Sequence, residues 1–331
     1  MNQHIDVIAT TMSGSIKDWA KVKRIVPLFK EYGIDDVSLL TADSHIEARK
    51  MAKESVQSGT KILISAGGSG TFYNVLEGCY DADVDIKDLR LGFLRKGSAD
   101  LIGKVLQMPD EIQAAIRVFV ESINKNHVMP CDVILAESES GGEKPRRFVG
   151  YGGAEIFGEI PYFTENRFIK YYKGILSQLF GDLGPFFTGA TLTIIRRLMR
   201  SAVNAKRKMK ITIDGKTVAE GYYQALIIVN GDLGPNLPFA QSVPLGSGDF
   251  HLFTIKDMGF LKLFKQFKDA WNAKILDQPE KMGFDSYCIK KQLKLKPEGD
   301  KFFPVNIDGA TMSCRGSVSF KIVDQIQLIR K

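Results

Sequence analysis

Over its first 125 residues the sequence alternates short apolar runs with amphipathic stretches, a rhythm that few folds can accommodate. "IDVIAT", "DVSLLT", "KILISAGG" and "LRLGFLRKG" have the apolar, β-branched character of buried strands. Between them, "IKDWAKVKRIVPLFKEYG" spaces apolar residues at i, i+3, i+4 and i+7 and ends on Gly33, as a helix C-cap does. "SHIEARKMAKESVQSG" predicts a second helix, capped by Ser44 and ended by Gly59. "TFYNVLEGCY" and "DEIQAAIRVFVESINK" predict two more. Strand–helix alternation of this kind implies a Rossmann-like, mostly parallel α/β sheet with helices on both faces.

After about Lys125 the pattern changes. "CDVILAES", "RRFVGYGGA", "MKITIDGKTVAEGYYQALIIVNG", "DFHLFTIKD", "SYCIKKQLKLKP", "FFPVNIDGATMSCRGSVSFKIV" and "QIQLIRK" read as strands separated by turn signals. Asp214-Gly215 and Asp308-Gly309 are each flanked by alternating residues, as in hairpins. Helical inserts are expected within Thr164–Arg207 and over residues 259–276. The expected fold class is therefore α/β plus all-β. An α/β domain spans residues 1–127, and an antiparallel β-sandwich spans 128–331. A chain of 331 residues suits two cores.

Several classes fall away on composition. The scattered placement of Cys79, Cys131, Cys288 and Cys314 reads as neither a disulfide framework nor a metal spacing. The equally scattered His4, His45, His127 and His251 argue against zinc. No run reaches the roughly 18 apolar residues of a membrane span, and "MNQHIDVIATTMSG" lacks signal-peptide architecture. A cytoplasmic protein with reduced thiols is the expectation. The formal charge of +7 hints at an anionic partner without choosing one.

The stretch "KILISAGGSGTFYNVLEGC" puts Gly67, Gly68, Ser69, Gly70 and Thr71 between a strand and a helix. Ligands of open parallel sheets sit beyond the carboxyl ends of the strands. Glycines there let amides approach a phosphate, and a helix N-terminus adds donors and partial positive charge. The other reading is a tight turn with glycines for packing. The loop fits neither Walker A nor the dinucleotide fingerprint.

"GGSGTFYNVLEG" resembles the GGDGT loop of the diacylglycerol kinase catalytic domain, whose superfamily includes sphingosine, ceramide and NAD kinases. "TTMSG" (residues 10–14) resembles that family's turn after the first strand, and Thr41 its threonine before the second helix. "LGFLRKGSADLIGKVL" (91–106), "NGDLGPNLPFAQSVPLGSGDFHLFTI" and "FFPVNIDGA" (302–310) resemble its later motifs, in family order. The resemblance implies an ATP-dependent lipid kinase that moves the γ-phosphoryl group to a hydroxyl of a diacylglycerol- or sphingoid-like lipid, with Mg²⁺. ATP phosphates would lie over Gly67–Thr71. Thr10, Ser13 and Gly14 would line the nucleotide, and Thr41 and Ser98 would supply hydroxyls. The C-terminal domain would hold the lipid head group.

The pattern also departs from the family. Ser69 replaces the aspartate of GGDGT, Ala310 replaces the glutamate thought to act as base, and Ser247-Gly248 replaces an aspartate-glycine that helps hold magnesium. Neither serine nor alanine can act as a carboxylate. Asp308 is the candidate substitute base or hydroxyl-orienting group, or else a hairpin-turn aspartate. Asp100 is a nucleotide or metal contact, or a helix N-cap. Asp249 is the candidate metal ligand. Asn74 is a ribose contact or a solvated helix residue. These departures keep a second function open, a weakened pseudokinase that binds nucleotide or lipid without turnover.

In "FLKLFKQFKDAWNAKIL", Phe260, Leu261, Phe264, Phe267 and Trp271 fall near one face, interleaved with Lys262, Lys265 and Lys268. Such a helix either lies in a bilayer interface or packs on its domain. With the basic stretch 194–210, it makes an anionic membrane surface the expected peripheral partner. Nucleic acid is not expected, and edge-strand pairing leaves a homodimer open.

Overall fold

The computed structural model describes residues 4–10, 20–95, 106, 108–164, 207–232, 243–271 and 274–330. The chain divides into two compact units, residues 1–131 with 325–331, and residues 132–324.

The first unit contains β1 (Ile5–Thr10), α1 (Ile25–Glu31), β2 (Val37–Ala42), α2 (His45–Gln57), β3 (Ile62–Gly67), α3 (Ser69–Asp81), β4 (Arg90–Arg95) and α4 (Ile112–Asn124). Its strands are parallel in the order β2-β1-β3-β4. β1 and β3 are buried along their whole length, the pattern of central strands covered on both faces. The expected caps form. Gly33 has φ +90° and Gly59 has φ +95°, each just past a helix. The Ser44 hydroxyl accepts the Glu47 amide at 3.1 Å, and the Glu47 carboxylate accepts the Asp43 amide at 2.6 Å. α3 lies close against α2 at Gly78, where a Cβ would stand 2.8 Å from the Ala52 Cβ.

The second unit contains most of β5 (Val128–Ser138), then β6 (Arg146–Phe148), β7 (Tyr151–Glu155), α5 (Ile156–Thr164), β8 (Met209–Ile213), β9 (Lys216–Gly221), β10 (Tyr223–Val229), β11 (Phe250–Lys256), α6 (Phe260–Trp271), β12 (Phe284–Ile289), β13 (Gln292–Pro297), β14 (Phe302–Ile307), β15 (Ala310–Arg315) and the first part of β16 (Val318–Ile329). One sheet is antiparallel throughout, in the order β12-β11-β10-β7-β14-β15. Facing it, β16, β13, β8 and β9 pair antiparallel, and β5 pairs with β6. The core between the sheets includes Phe148, Leu226, Phe250, Leu293, Val305 and Phe320, contributed by both, which makes this unit the expected sandwich. Both Asp-Gly pairs turn hairpins with both residues at positive φ, +49°/+82° at Asp214-Gly215 and +46°/+85° at Asp308-Gly309. That is the turn whose twist suits a hairpin.

The division differs from the expected 1–127 and 128–331. The first unit runs to Cys131, and residues 325–331 also belong to it. The reason is β16. "QIQLIRK" is not a separate strand but the end of β16, whose Gln327 and Leu328 pair parallel with Arg90 and Leu91 of β4. The helix expected over 259–276 is shorter, Phe260–Trp271, with a 3-10 turn at Lys274–Leu276. The insert expected within Thr164–Arg207 lies outside the described residues, except for α5 and its end at Thr164 and for Arg207.

Candidate functional site

The strand order of the first unit fixes where a ligand can sit. From β1 the chain moves outward on one side to β2, and from β3 on the other side to β4. The carboxyl ends of β1 and β3 therefore flank the topological switch point, where helices on opposite faces leave a crevice. Register places Thr41, Ala9, Ala66 and Leu94 in one row, with Thr10, Ala42, Gly67 and Arg95 one position further on.

Of the residues expected at the nucleotide, Thr10, Thr41, Gly67, Gly68, Ser69, Gly70 and Thr71 come together at this edge or at the start of α3 that follows it, and Asn74 lies one turn further along α3. Ser13, Gly14, Ser98 and Asp100 lie outside the described residues. Gly68 is the N-cap of α3 and, being glycine, brings no side chain of its own to cap the helix. The amides of Thr71 and Phe72 bond back to the Gly68 carbonyl at 3.0 and 3.1 Å. Ahead of them stand the amides of Ser69 and Gly70, at the positive end of the helix dipole.

The glycines act otherwise than through positive φ, which none of Gly67, Gly68 and Gly70 adopts. A Cβ on Gly67 would lie 2.7 Å from the Thr71 Cβ and closer still to its hydroxyl. Thr71 is fully buried, and its hydroxyl pairs with that of Thr10 at 2.8 Å. Gly67 therefore makes room for the hydroxyl bridge that joins β1 to α3. At Gly68 a Cβ would meet nothing within 4 Å, so this glycine faces open space. A Cβ on Gly70 would lie 3.0 Å from the His45 ring, a neighbour that the sequence reading missed. The Asn74 side chain donates to the Gly70 carbonyl at 2.8 Å, which turns it back on its own helix. A cavity of about 680 Å³ lined by His4, Asp6, Ser38 and Thr60 lies at the amino ends of β1 and β3, away from the glycine turn.

In the second unit, Asp308 is 3% exposed. Its carboxylate accepts three consecutive backbone amides: Val149 at 3.0 Å, Gly150 at 3.1 Å and Tyr151 at 2.8 Å. Burial pushes the carboxyl up to about 6, opposed by those three amides. The amide of Asp308 bonds the Tyr151 carbonyl at 2.8 Å. The same turn is held from its other side by Asn230, fully buried, whose side chain donates to the carbonyls of Val149 (2.8 Å) and Asp132 (2.6 Å). The Asp132 carboxylate in turn accepts the Gly248 amide at 2.7 Å, beside Asp249. The candidate base and the candidate metal ligand are thus the ends of one hydrogen-bonded network: Asp308, residues 149–151, Asn230, Asp132 and Gly248.

Asp249 accepts the Ser247 hydroxyl at 2.5 Å and the Cys288 thiol at 3.3 Å. The Ser247 bond is the main cause that holds its carboxyl below the usual range. Its ligand atoms and those of His251 and Cys288 all lie within 4.8 Å of one another. The scatter of histidines and cysteines along the sequence had argued against such a group. His251 and Cys288, 37 positions apart, are direct cross-strand partners of β11 and β12.

On α6, the buried residues Leu263, Gln266 and Ala270 recur at helical spacing. The Gln266 side chain donates to the carbonyls of Lys256 (2.9 Å) and Met282 (2.7 Å). Phe264 is 54% exposed beside exposed Lys262, Lys265 and Lys268. The side chains of Phe260, Leu261, Phe267 and Trp271 lie outside the description. No helix among the described residues is long and apolar enough to cross a membrane.

A mostly parallel α/β unit with an uncapped glycine turn at its switch point, and a β-sandwich unit, together describe a known class. Residues 4–136 match the family model of the diacylglycerol kinase catalytic domain, which bears out the resemblance read in the sequence. Among curated relatives, the diacylglycerol kinases of Staphylococcus carnosus (strain TM300) and of Staphylococcus saprophyticus subsp. saprophyticus are each 24% identical, over 55% and 56% of this chain. The chain spans about three-fifths of the length of these relatives, 58% and 60%. Among solved structures, one from Bacillus anthracis str. Sterne, provisionally assigned as a diacylglycerol kinase, superposes with a TM-score of 0.71 at 21% identity, covering 99% of this chain and 95% of its own. A second from that organism, described as a diacylglycerol kinase, gives 0.67 at 18%, covering 99% and 97%. At these identities the structures show the fold.

Proposed function

We propose that this protein is an ATP-dependent lipid kinase, transferring the γ-phosphoryl group to a hydroxyl of a diacylglycerol- or sphingoid-like lipid. The observation that carries the reading is the uncapped start of α3 at the switch point, with open space at Gly68, within residues that match a kinase family. An α3 N-terminus of this kind suits a polyanion. Phosphoryl transfer asks little covalent chemistry of a protein and depends on positioning and charge stabilisation. In this reading the Ser69 and Gly70 amides hold phosphate oxygens, and the Thr10–Thr71 bridge fixes the turn that presents them. Thr41, Ser13, Gly14, Ser98 and Asp100 are proposed nucleotide contacts. Asn74, engaged with Gly70, supports the turn rather than the ribose.

Magnesium would supply charge neutralisation as the complex with ATP. It takes oxygen donors in near-octahedral geometry, whereas Asp249 is grouped with an imidazole and a thiol. That donor set does not suit magnesium, so no step is derived through it. Asp308 is proposed to orient rather than to deprotonate, because both carboxylate oxygens are engaged by the 149–151 amides. Phe264 and its neighbouring lysines are proposed to meet an anionic membrane surface.

The commitment of Asp308, with Ala310 where the family has a glutamate, favours a second reading: a member that binds nucleotide or lipid with little turnover. One assay tests both. The full chain is given labelled ATP, Mg²⁺ and vesicles carrying diacylglycerol or a sphingoid base, with Gly68→Asp as control. Turnover above the control supports the kinase. No turnover with retained ATP binding overturns it in favour of the second reading. A gain of about 10²–10⁴-fold in the double variant Ser69→Asp, Ala310→Glu favours that second reading too, since a general base contributes about that much.

A further inference from the structure

We propose that Asp249, His251 and Cys288 form a binding site for a divalent transition-metal ion of the zinc class. The site sits on the β11–β12 pair of the sandwich and does not rest on the proposed phosphoryl transfer. Three observations build it. Asp249 immediately precedes β11 and His251 is its second residue, so the two side chains are carried into the strand from neighbouring positions. Cys288 is the register partner of His251 on β12. Their ligand atoms lie within 4.8 Å of one another, and Cys288 Sγ stands 3.3 Å from Asp249 Oδ2. Bond lengths of about 2.0–2.3 Å to oxygen, nitrogen and sulfur in a tetrahedral zinc site put neighbouring donors roughly 3.3–3.6 Å apart. The carboxylate–thiol pair already has that separation.

The donor chemistry selects the ion. Imidazole and thiolate favour zinc and its neighbours over magnesium or calcium, which prefer oxygen alone. Cys79, Cys131 and Cys314 are buried, so Cys288 is the exposed thiol of the chain. On binding, the Cys288 S–H bond breaks, its proton passes to solvent, and the sulfur bonds the metal. Three protein ligands leave one position for water. The Ser247 hydroxyl, bonded to the Asp249 carboxylate, orients that ligand from behind. The ion would tie the edge strand β12 to β11 at the turn where the Asp132–Gly248 bond ends.

The test uses the full chain stripped with a chelator and titrated with Co²⁺ as a spectroscopic probe. A thiolate-to-cobalt charge-transfer band should appear in the near ultraviolet and be abolished by Zn²⁺ but not by millimolar Mg²⁺. Cys288→Ser should abolish the band and weaken Zn²⁺ binding at least tenfold, with unchanged circular dichroism. His251→Gln should weaken binding similarly while keeping the thiol, so the result does not hang on one variant. Absence of the band in the wild type, or Zn²⁺ affinity unchanged in both variants, or displacement by Mg²⁺, overturns the proposal.

Discussion

Gly67 and Gly68 are adjacent, yet substituting them should have opposite consequences. In Gly67→Ala the new methyl would stand 2.7 Å from the Thr71 Cβ, against the roughly 3.5–4.0 Å that carbon atoms prefer. Thr71 would have to retreat by about 1 Å from a fully buried position. Overpacking of this kind costs about 1–3 kcal/mol. Loss of the 2.8 Å bridge to Thr10 adds about 1–2 kcal/mol, because both hydroxyls are buried. The expected loss is therefore about 2–5 kcal/mol, which lowers the melting temperature by several degrees. In Gly68→Asp the side chain enters open space, at an N-cap with φ −95° and ψ −177° that any residue adopts. A carboxylate there can accept the α3 amides, so stability should hold or rise by a few tenths of a kcal/mol. ATP binding should nonetheless fall at least tenfold, since the carboxylate would occupy the place proposed for a phosphate. Differential scanning fluorimetry and ATP titration calorimetry on both variants measure this. Wild-type stability of Gly67→Ala, or wild-type ATP affinity of Gly68→Asp, would refute the reasoning.

Asp308 predicts a pH effect with a definite sign. Its folded-state pKa, about 6, lies above the unfolded value of about 3.9. Its contribution is therefore fully present below pH ~4 and is lost as pH rises to about 6, by roughly 3 kcal/mol. Denaturation curves at pH 4.5 and 7 should show about 2 kcal/mol of this step in the wild type and not in Asp308→Asn; a step of equal size in both would contradict it. Asn230→Ala removes two buried donors from the Val149 and Asp132 carbonyls and should cost about 2–4 kcal/mol in denaturant unfolding, with a cost under 1 kcal/mol counting against the network. Phe264→Asp should leave stability within about 0.5 kcal/mol, given its exposure, while reducing sedimentation with anionic vesicles; undiminished co-sedimentation would remove α6 from the proposed membrane face.

Local signals carried well from sequence to structure because their chemistry is local. The Ser44 cap, the Gly33 and Gly59 stops and both Asp-Gly hairpins need only their immediate neighbours. The glycine turn was legible as a strand–helix junction. What Gly67 does was not, since its partner Thr71 acts through Thr10, 61 positions from it in sequence. Asp308 could be seen as a turn residue, but its amide partners are 157–159 positions earlier. The group of Asp249, His251 and Cys288 depends on a strand register that spacing along the chain does not reveal. Such encounters are written in tertiary pairing, where single-sequence periodicity carries no information.

The double membership of β16 bears on how the protein must be made. Gln327 and Leu328 line the open side of β4, and the Ser122 hydroxyl of α4 donates to the Arg330 carbonyl at 2.7 Å. A ribosome emitting this polypeptide delivers the first four parallel strands long before the one that borders β4. Until then that edge offers unpaired amides and carbonyls to any extended peptide nearby. Fragments cut near residue 131 should for the same reason be sticky, and an excised first unit would need residues 325–330 grafted back on to behave as a well-mannered domain.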